Sequence, residues 1–315
     1  MTPILTITLN PALDLATDTA CVTPERKLRC TQPAIDPGGG GINVSRAIAA
    51  MGGQSVAFVA LGGPTGERVA RRLAAQGIVV APFKAPGDTR QSITVTDQST
   101  AEQYRFVMPG PQWSASDHAQ LLDQIALSLP PGAIVVLSGS QPPGIPDDFP
   151  ARLSDRLAKT HAQVFLDTSG PALRELLHAR HRAADVLRMD DIEAEELAGR
   201  PLPTRRDSAD FAQELVRKGL AQAVLVARGG DGNVLATREG RWVADAADVA
   251  IISKVGAGDS FVAGFTLSLA QGAPWPEALQ HGAAAASAAV MTPATELCRP
   301  ADVAALRAAC RVHEI

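Results

Sequence analysis

Val255-Gly256-Ala257-Gly258-Asp259-Ser260, followed by the apolar, small-residue run 261–269, is the stretch from which the rest of the chain is read. Small residues ahead of an apolar helical run leave the backbone N–H groups of a helix start open to a cleft. There they and the positive end of the helix dipole favour phosphate oxygens. A carboxylate in that same turn is repelled by a phosphate unless it has a task, such as accepting a proton from a hydroxyl that attacks the phosphorus. Taken alone, Asp259 reads equally well as a helix cap, since Asp and Gly are ordinary helix-start residues. A second stretch decides between the two readings. Gly38-Gly39-Gly40-Gly41-Ile42-Asn43-Val44 leads into an amphipathic segment, residues 45–51, that ends at Gly52-Gly53 as helices commonly do. Consecutive glycines are costly in entropy as a plain linker. Entering a helix with Asn43 in its first turn, they read as a loop whose backbone a ligand touches. The two loops are expected to form two faces of one cleft.

Around these loops, short apolar runs alternate with helical patterns. Residues 4–9, 55–60, 133–137, 164–166 and 223–226 read as strands, and residues 65–76, 117–128, 207–218 and 275–291 as helices. Such alternation predicts an α/β fold with a mainly parallel sheet covered on both faces and ligands at the carboxyl ends of its strands. Residues 15–33 and 90–107 break the rhythm: polar and apolar residues alternate there with no helix between, which predicts antiparallel strands standing off the main sheet. No repeat, low-complexity segment or linker divides the chain, so residues 1–315 read as one domain.

Composition narrows the function classes. A chain of 315 residues with 46% hydrophobic content can bury a large core. A net charge of -4 and a pI near 5.9 supply no basic field, so nucleic acid and membrane surfaces are not expected partners. The first ten residues read as a strand rather than a leader, and no apolar run is long enough to span a bilayer, so the expected location is cytoplasmic. Cys21, Cys30, Cys298 and Cys310 show no metal-ligand spacing and suit reduced thiols, and the dispersed histidines are assigned to no metal.

Further stretches stand in order along the chain: Thr8-Leu9-Asn10-Pro11-Ala12-Leu13-Asp14, Lys27-Leu28-Arg29-Cys30, Thr89-Arg90-Gln91, Glu102-Gln103-Tyr104-Arg105-Phe106-Val107-Met108-Pro109-Gly110 and Ser138-Gly139-Ser140-Gln141-Pro142-Pro143-Gly144. With the two glycine loops, this set resembles the ribokinase-like, PfkB-type sugar kinases from Thr6 to Cys298, and within them the bacterial PfkB-type 6-phosphofructokinases. The resemblance implies a ribokinase-like three-layer α/β fold and a small β-sheet lid, about residues 15–33 and 90–107, that also forms a homodimer interface. It implies ATP with Mg2+, and a ketohexose phosphate as acceptor. Fructose 6-phosphate, phosphorylated at C1, is the expected substrate, with tagatose 6-phosphate and fructose 1-phosphate as alternatives. Residues 38–41 lack the lysine often found in this loop of kinases acting on those two, which tilts the choice toward fructose 6-phosphate.

The resemblance also assigns roles. Asp259 takes the hydroxyl proton, and the backbone of Gly256, Ala257 and Gly258 stabilises charge on the transferred phosphoryl group. Asp14 and Asn43 suit sugar hydroxyls, because carboxylates and amides make directional bonds in pairs; Gly39 and Gly40 open the backbone beside them. A phosphate already on the sugar needs fixed cations. Lys27, Arg29, Arg90 and Arg105 fall in the off-sheet stretches. The resemblance selects Arg90, Ser140 and Lys27, the last reaching across from a partner subunit, and leaves Arg29 and Arg105 to stabilise the lid.

The nucleotide side departs from the family. Arg188-Met189-Asp190-Asp191-Ile192-Glu193 stands where relatives carry Lys-Pro-Asn-x-x-Glu. Arg188 and Asp190 are therefore expected near the nucleotide, with Asp190 and Glu193 near magnesium through water; a carboxylate at 190 is a good oxygen ligand but adds negative charge near ATP. In Ala227-Arg228-Gly229-Gly230-Asp231-Gly232, Gly229 and Gly232 keep their backbone access to phosphates while Ala227 lacks the usual hydroxyl. Ala283 and Ser287 complete the expected nucleotide contacts. Lys254 replaces a small hydroxyl residue beside a potassium-binding loop, whose second half is residues 292–296. Its ammonium either stands in for that cation, with Glu296 as counterion, or points to solvent or to an ATP phosphate. The altered residues leave a non-enzymatic alternative, a sugar-phosphate sensor, against which the retained Asp259 and its glycines argue.

Overall fold

In the computed structural model, which describes residues 1–178, 182–293 and 296–315, β1 (Ile4–Thr8) leads through β2 (Ala12–Thr19) and β3 (Ala34–Gly38) into α1 (Gly40–Ala50). Then come β4 (Val56–Leu61), α2 (Gly63–Ala75), β5 (Val79–Lys84), β6 (Arg90–Asp97) and β7 (Gln103–Val107). The middle of the chain runs α3 (Ala115–Leu127), β8 (Ile134–Ser138), α4 (Phe149–Arg156), β9 (Gln163–Asp167), α5 (Gly170–Glu175), β10 (Ala184–Asp190), α6 (Asp191–Ala198), α7 (Arg205–Arg217) and β11 (Ala221–Ala227). It closes with β12 (Asn233–Thr237), β13 (Arg241–Ala244), α8 (Ala257–Ala270), α9 (Trp275–Ala289), α10 (Pro300–Leu306) and β14 (Val312–Glu314).

Ten strands form the main sheet in the order β14-β13-β12-β11-β10-β9-β8-β1-β4-β5, parallel from β11 through β5 and antiparallel beyond β11. Its central strands are apolar on both faces, and the two-residue period sorts their side chains into two cores. Leu5, Ile7, Val135 and Leu137 join the cluster on one side, while Ile4, Ile134 and Val136 pack on the other against Val44 and Ile48 of α1 and Phe261 and Phe265 of α8. Helix α8 is buried around nearly its whole circumference. A Cβ added at Gly264 would lie 2.9 Å from the His281 carbonyl, so α8 and α9 pack backbone to backbone. That packing fixes the start of α8 at the carboxyl edge of the sheet. Among the described residues no helix is long and apolar enough to cross a membrane.

The second sheet has the order β3-β2-β6-β7 and departs from the sequence expectation. β2 starts at Ala12 rather than residue 15, and it pairs with β6 in parallel, not antiparallel. Within residues 20–33 the ladder is reduced to the isolated Thr19–Cys30 bridge, and the returning strand is β3, which runs directly into the glycine loop. Pro24 and Pro33 lack donors and interrupt pairing between the two, whereas Pro37 is tolerated because β3 lies at the sheet edge. The 90–107 stretch forms the antiparallel β6–β7 pair as expected.

Candidate active site

Both glycine loops become helix starts without side-chain caps. Gly256, ahead of α8, adopts φ 76, a left-handed conformation glycine takes without strain, and no side chain caps the N–H groups of the following turn, the Ala257 N–H making only a long 3.5 Å bond to the Lys254 carbonyl. Gly39, ahead of α1, has φ 122, and a Cβ on Gly40 would overlap the Ser138 hydroxyl. The two starts meet over the carboxyl edge of the parallel strands. Asn43 Nδ2 donates to Asp259 Oδ2 at 2.9 Å, joining residues 216 positions apart. Arg46, one turn further along α1, donates to Asn43 Oδ1 at 3.4 Å and faces Asp36 at 3.6 Å, which turns the amide nitrogen of Asn43 toward Asp259.

Burial pushes the Asp259 carboxyl up to about 6, and the neighbouring Asp167 carboxylate adds to the rise, against the Asn43 hydrogen bond and the Arg188 charge. It therefore titrates just below neutrality, in the range useful to a general base. Asp259 opens into a cavity of about 320 Å³ lined also by Asp14, Asn43, Arg46, Arg90 and Arg105. The Asp14 carboxyl is raised by burial and held back by Arg90 and Arg105.

Arg90 marks a divide. Its guanidinium donates to the carbonyls of Asn10 (3.2 and 3.3 Å) and Met108 (3.3 Å) and to Ser92 Oγ (3.3 Å). It lines both this cavity and an adjoining one of about 620 Å³, where Ser140 accepts a bond from Asn10 Nδ2 at 3.2 Å. Asp14, Gly39 and Asn43 thus share the first cavity and Ser140 the second, with Arg90 common to both. Lys27 is exposed and lines neither.

Asp190 and Glu193 form a reciprocal capping box at the start of α6, each carboxylate accepting the other residue's N–H at 2.8 Å. Each engages one oxygen in the cap. Burial raises the Glu193 carboxyl, with Asp190 and Asp167 adding to the rise. Among the described residues no cluster of His, Cys, Asp or Glu is arranged to ligate a metal by itself. Two carboxylates with an excess of negative charge fit a hydrated Mg2+ that also takes nucleotide phosphates as ligands.

Arg188, Ser287 and Glu296 each bond to another part of the chain, and Ala283 is packed in the core. Arg188 is largely buried beneath the start of α8, its side chain 17% exposed, and donates to Asp167 Oδ1 at 3.0 Å. Ala283 is 1% exposed in the core between α9 and its neighbours, and the Ser287 hydroxyl accepts the Ala247 N–H at 3.2 Å. Glu296 pairs with Arg299 at 2.6 and 3.0 Å, leaving the exposed Lys254 without the expected counterion. Ala294 and Thr295 of that second loop lie outside the described residues. Gly229 and Gly232 bracket a tight turn after Ala227, and Gly232 (φ 88) faces the Ala244 carbonyl too closely for any side chain.

Sequence reasoning missed Arg46, Asp36 and Asp167. Arg46 stands at the i+3 position from Asn43, and Asp167 ends an apolar strand at its carboxyl edge; both signals were in the sequence.

An ionisable carboxylate between two open helix starts, over the carboxyl edge of a parallel sheet and beside a separate four-stranded sheet, defines a ribokinase-like kinase. The family follows from comparison: the chain belongs to the pfkB family of carbohydrate kinases, whose model matches residues 7–302. It is 40% identical over 302 residues to the ATP-dependent 6-phosphofructokinase isozyme 2 of Escherichia coli strain K12, spanning 96% of this chain and 97% of that protein. Phosphofructokinase-2 from Escherichia coli in complex with potassium superposes with TM-score 0.92 at 39% identity over 98% of this chain and 99% of that one. The same enzyme in complex with fructose-6-phosphate gives TM-score 0.91 at 38% identity and the same coverage.

Proposed function

We propose that this protein is an ATP-dependent 6-phosphofructokinase, transferring the γ-phosphoryl group of ATP to the C1 hydroxyl of fructose 6-phosphate. The observation that carries the reading is the Asn43–Asp259 pair, with its titrating carboxylate, in a cavity that Arg90 joins to a second one. The sugar lies along the first cavity with its hydroxyls on Asp14 and Asn43. Its existing phosphate meets Arg90 and Ser140 at the divide, with Lys27 supplied by the partner subunit. The deprotonated Asp259 takes the C1 hydroxyl proton as that oxygen bonds to the γ-phosphorus, and the bond from phosphorus to the β–γ bridging oxygen breaks, releasing ADP. The open N–H groups of 256–258 stabilise charge on the equatorial oxygens. Asp190 and Glu193 would hold Mg2+ through water, and the ion supplies charge neutralisation at the nucleotide phosphates. Lys254, exposed and without Glu296, serves an ATP phosphate rather than standing in for a monovalent cation.

The homodimer reading is supported by the edge strand β7, whose face turned away from the cavity exposes Tyr104 (38%) and Phe106 (53%), an aromatic pair that a second copy would cover. A cytoplasmic location accords with a substrate pair of ATP and sugar phosphate and with four free cysteines. Initial rates of ADP release with fructose 6-phosphate, tagatose 6-phosphate, fructose 1-phosphate and free fructose test the reading. Fructose 6-phosphate should give the highest kcat/KM; ADP release that ignores every sugar, or a preference for fructose 1-phosphate, overturns it.

A further inference from the structure

Ser138 and Asp167 end β8 and β9, and Arg188 stands two residues before the end of β10, in matching register, Ser138 opposite Asp167 and Asp167 opposite Arg188. Ser138 Oγ donates to Asp167 Oδ2 at 2.8 Å and Arg188 Nη1 to Asp167 Oδ1 at 3.0 Å, so both carboxylate oxygens are used. The ends of this rung touch the two helix starts. Ser138 lies against Gly40 of α1, and a Cβ on Gly258 of α8 would sit 3.1 Å from Arg188 Nη2. A side chain at 258 would therefore crowd the guanidinium below it.

From this geometry we infer that Arg188 is a positioning residue for phosphoryl transfer: it fixes a positive charge under the first turn of α8, balancing the negative charge that Asp167, Asp259 and the incoming phosphates bring together. The inference rests on the kinase reading above. A role in packing alone accounts poorly for the arrangement, because a buried ion pair adds little to stability over an apolar pair of similar volume, and Arg188 Nε is buried with no acceptor among the described residues. An uncompensated donor beneath an anion-binding turn contributes instead to the field above it.

The charges around Asp259 bear on the test. From below it faces Asp167 on β9 and Arg188 on β10, with Glu193 of α6 beyond Arg188. Across the cavity stand Arg46 on α1, Asp14 and Asp36 on β2 and β3, and Arg90 and Arg105 on β6 and β7. Lys254 is exposed on the approach to α8. Of these, Arg188 is the cation that acts on Asp259, and Asp167 the anion that opposes it.

The experiment measures sugar-phosphate-dependent ADP release from pH 5 to 9 at saturating substrates for Arg188→Met, Arg188→Lys, Asp167→Asn and the Asp167→Asn/Arg188→Met pair. Each rate is taken as a ratio to the unmutated protein, so that substrate ionisations cancel. Arg188→Met should move the acid limb of kcat up by about one pH unit, a loss of about tenfold at the foot of the limb that is largely recovered at pH 9. Arg188→Lys should keep the original limb. Asp167→Asn should move the limb down, and adding Arg188→Met should bring it back, because the pair removes one charge of each sign. This second comparison still decides the matter if the single Met variant fails to fold, since the double variant buries no unpaired charge. An unmoved limb in Arg188→Met, or a double variant whose limb stays with Asp167→Asn, overturns the inference while leaving the kinase reading intact. Absence of ADP release from the unmutated protein removes both.

Discussion

Replacing Asp259 with Asn removes the proton acceptor and almost nothing else. The amide has the same shape, its oxygen can still accept the Asn43 bond now 2.9 Å long, and the uncapped turn of α8 is unchanged. With the Asp259 carboxyl at about 6, roughly nine-tenths of the molecules carry the base at pH 7 and about one-tenth at pH 5. The unmutated protein should therefore lose about tenfold in kcat between those values. Asp259→Asn should lower kcat by about two to four orders of magnitude, with KM for both substrates within about threefold, and should flatten that limb. Stability should move the other way. A carboxyl whose folded value is about 6 against 3.8 unfolded leaves the folded state fully stabilised below 3.8 and weakens it as pH rises through 6. At pH 8 that cost is at most about 3 kcal/mol before allowance for partial exposure. Asp259→Asn should thus raise Tm by a few degrees at pH 8 and leave it unchanged near pH 4. Coupled ADP-release kinetics and thermal melts at the two pH values are the assays. A folded variant with near-normal kcat, or one losing activity and stability together at pH 8, would refute the assignment.

Arg90→Ala should raise KM for fructose 6-phosphate at least tenfold while changing KM for ATP by less than twofold, because the guanidinium sits on the divide between the sugar-side cavities; equal effects on the two constants would put Arg90 elsewhere. Gly258→Ala sets a methyl 3.1 Å from Arg188 Nη2, so the guanidinium or the first turn of α8 must give by a few tenths of an ångström. Its kcat should fall about three- to tenfold, with a melt showing a cooperative fold, and an unaffected kcat would mean that this turn tolerates displacement during transfer. Lys254→Thr should raise KM for ATP severalfold, with potassium activating the variant and the unmutated protein alike. Equal rates of the unmutated protein in potassium, sodium and tetramethylammonium, lost in the variant, would instead restore Lys254 as a built-in cation.

The helix starts were legible because glycine loops leave few alternatives, and β1 and β8 because a strand buried on both faces is a short apolar run with only small hydroxyl residues among it, Thr6 and Thr8 in β1 and Ser138 in β8. β10 was not read as a strand: its Arg188-Met189-Asp190 end was taken as a motif, although Ala184–Asp190 pairs along its length with β11. The parallel pairing of β2 with β6 was out of reach, since alternation reports which face a residue occupies and not which strand crosses over through β3, α1, β4, α2 and β5. Ion pairs between distant segments, such as Arg46 with Asp36 and Arg188 with Asp167, follow from topology rather than from local pattern. Asp190 shows the opposite case. Its presence where relatives carry Asn looked like a change at the metal, and the D-x-x-E spacing already encoded the α6 capping box that either residue can form.

The central claim, phosphoryl transfer to the C1 hydroxyl of fructose 6-phosphate with Asp259 as base, is tested most directly by phosphorus and carbon NMR of the product formed from fructose 6-phosphate and MgATP. The expected result is one new phosphomonoester coupled to C1, formed in step with ADP by the unmutated protein and absent over the same period with Asp259→Asn. A product phosphorylated at another carbon, or ADP formed without any new sugar phosphate, would contradict it.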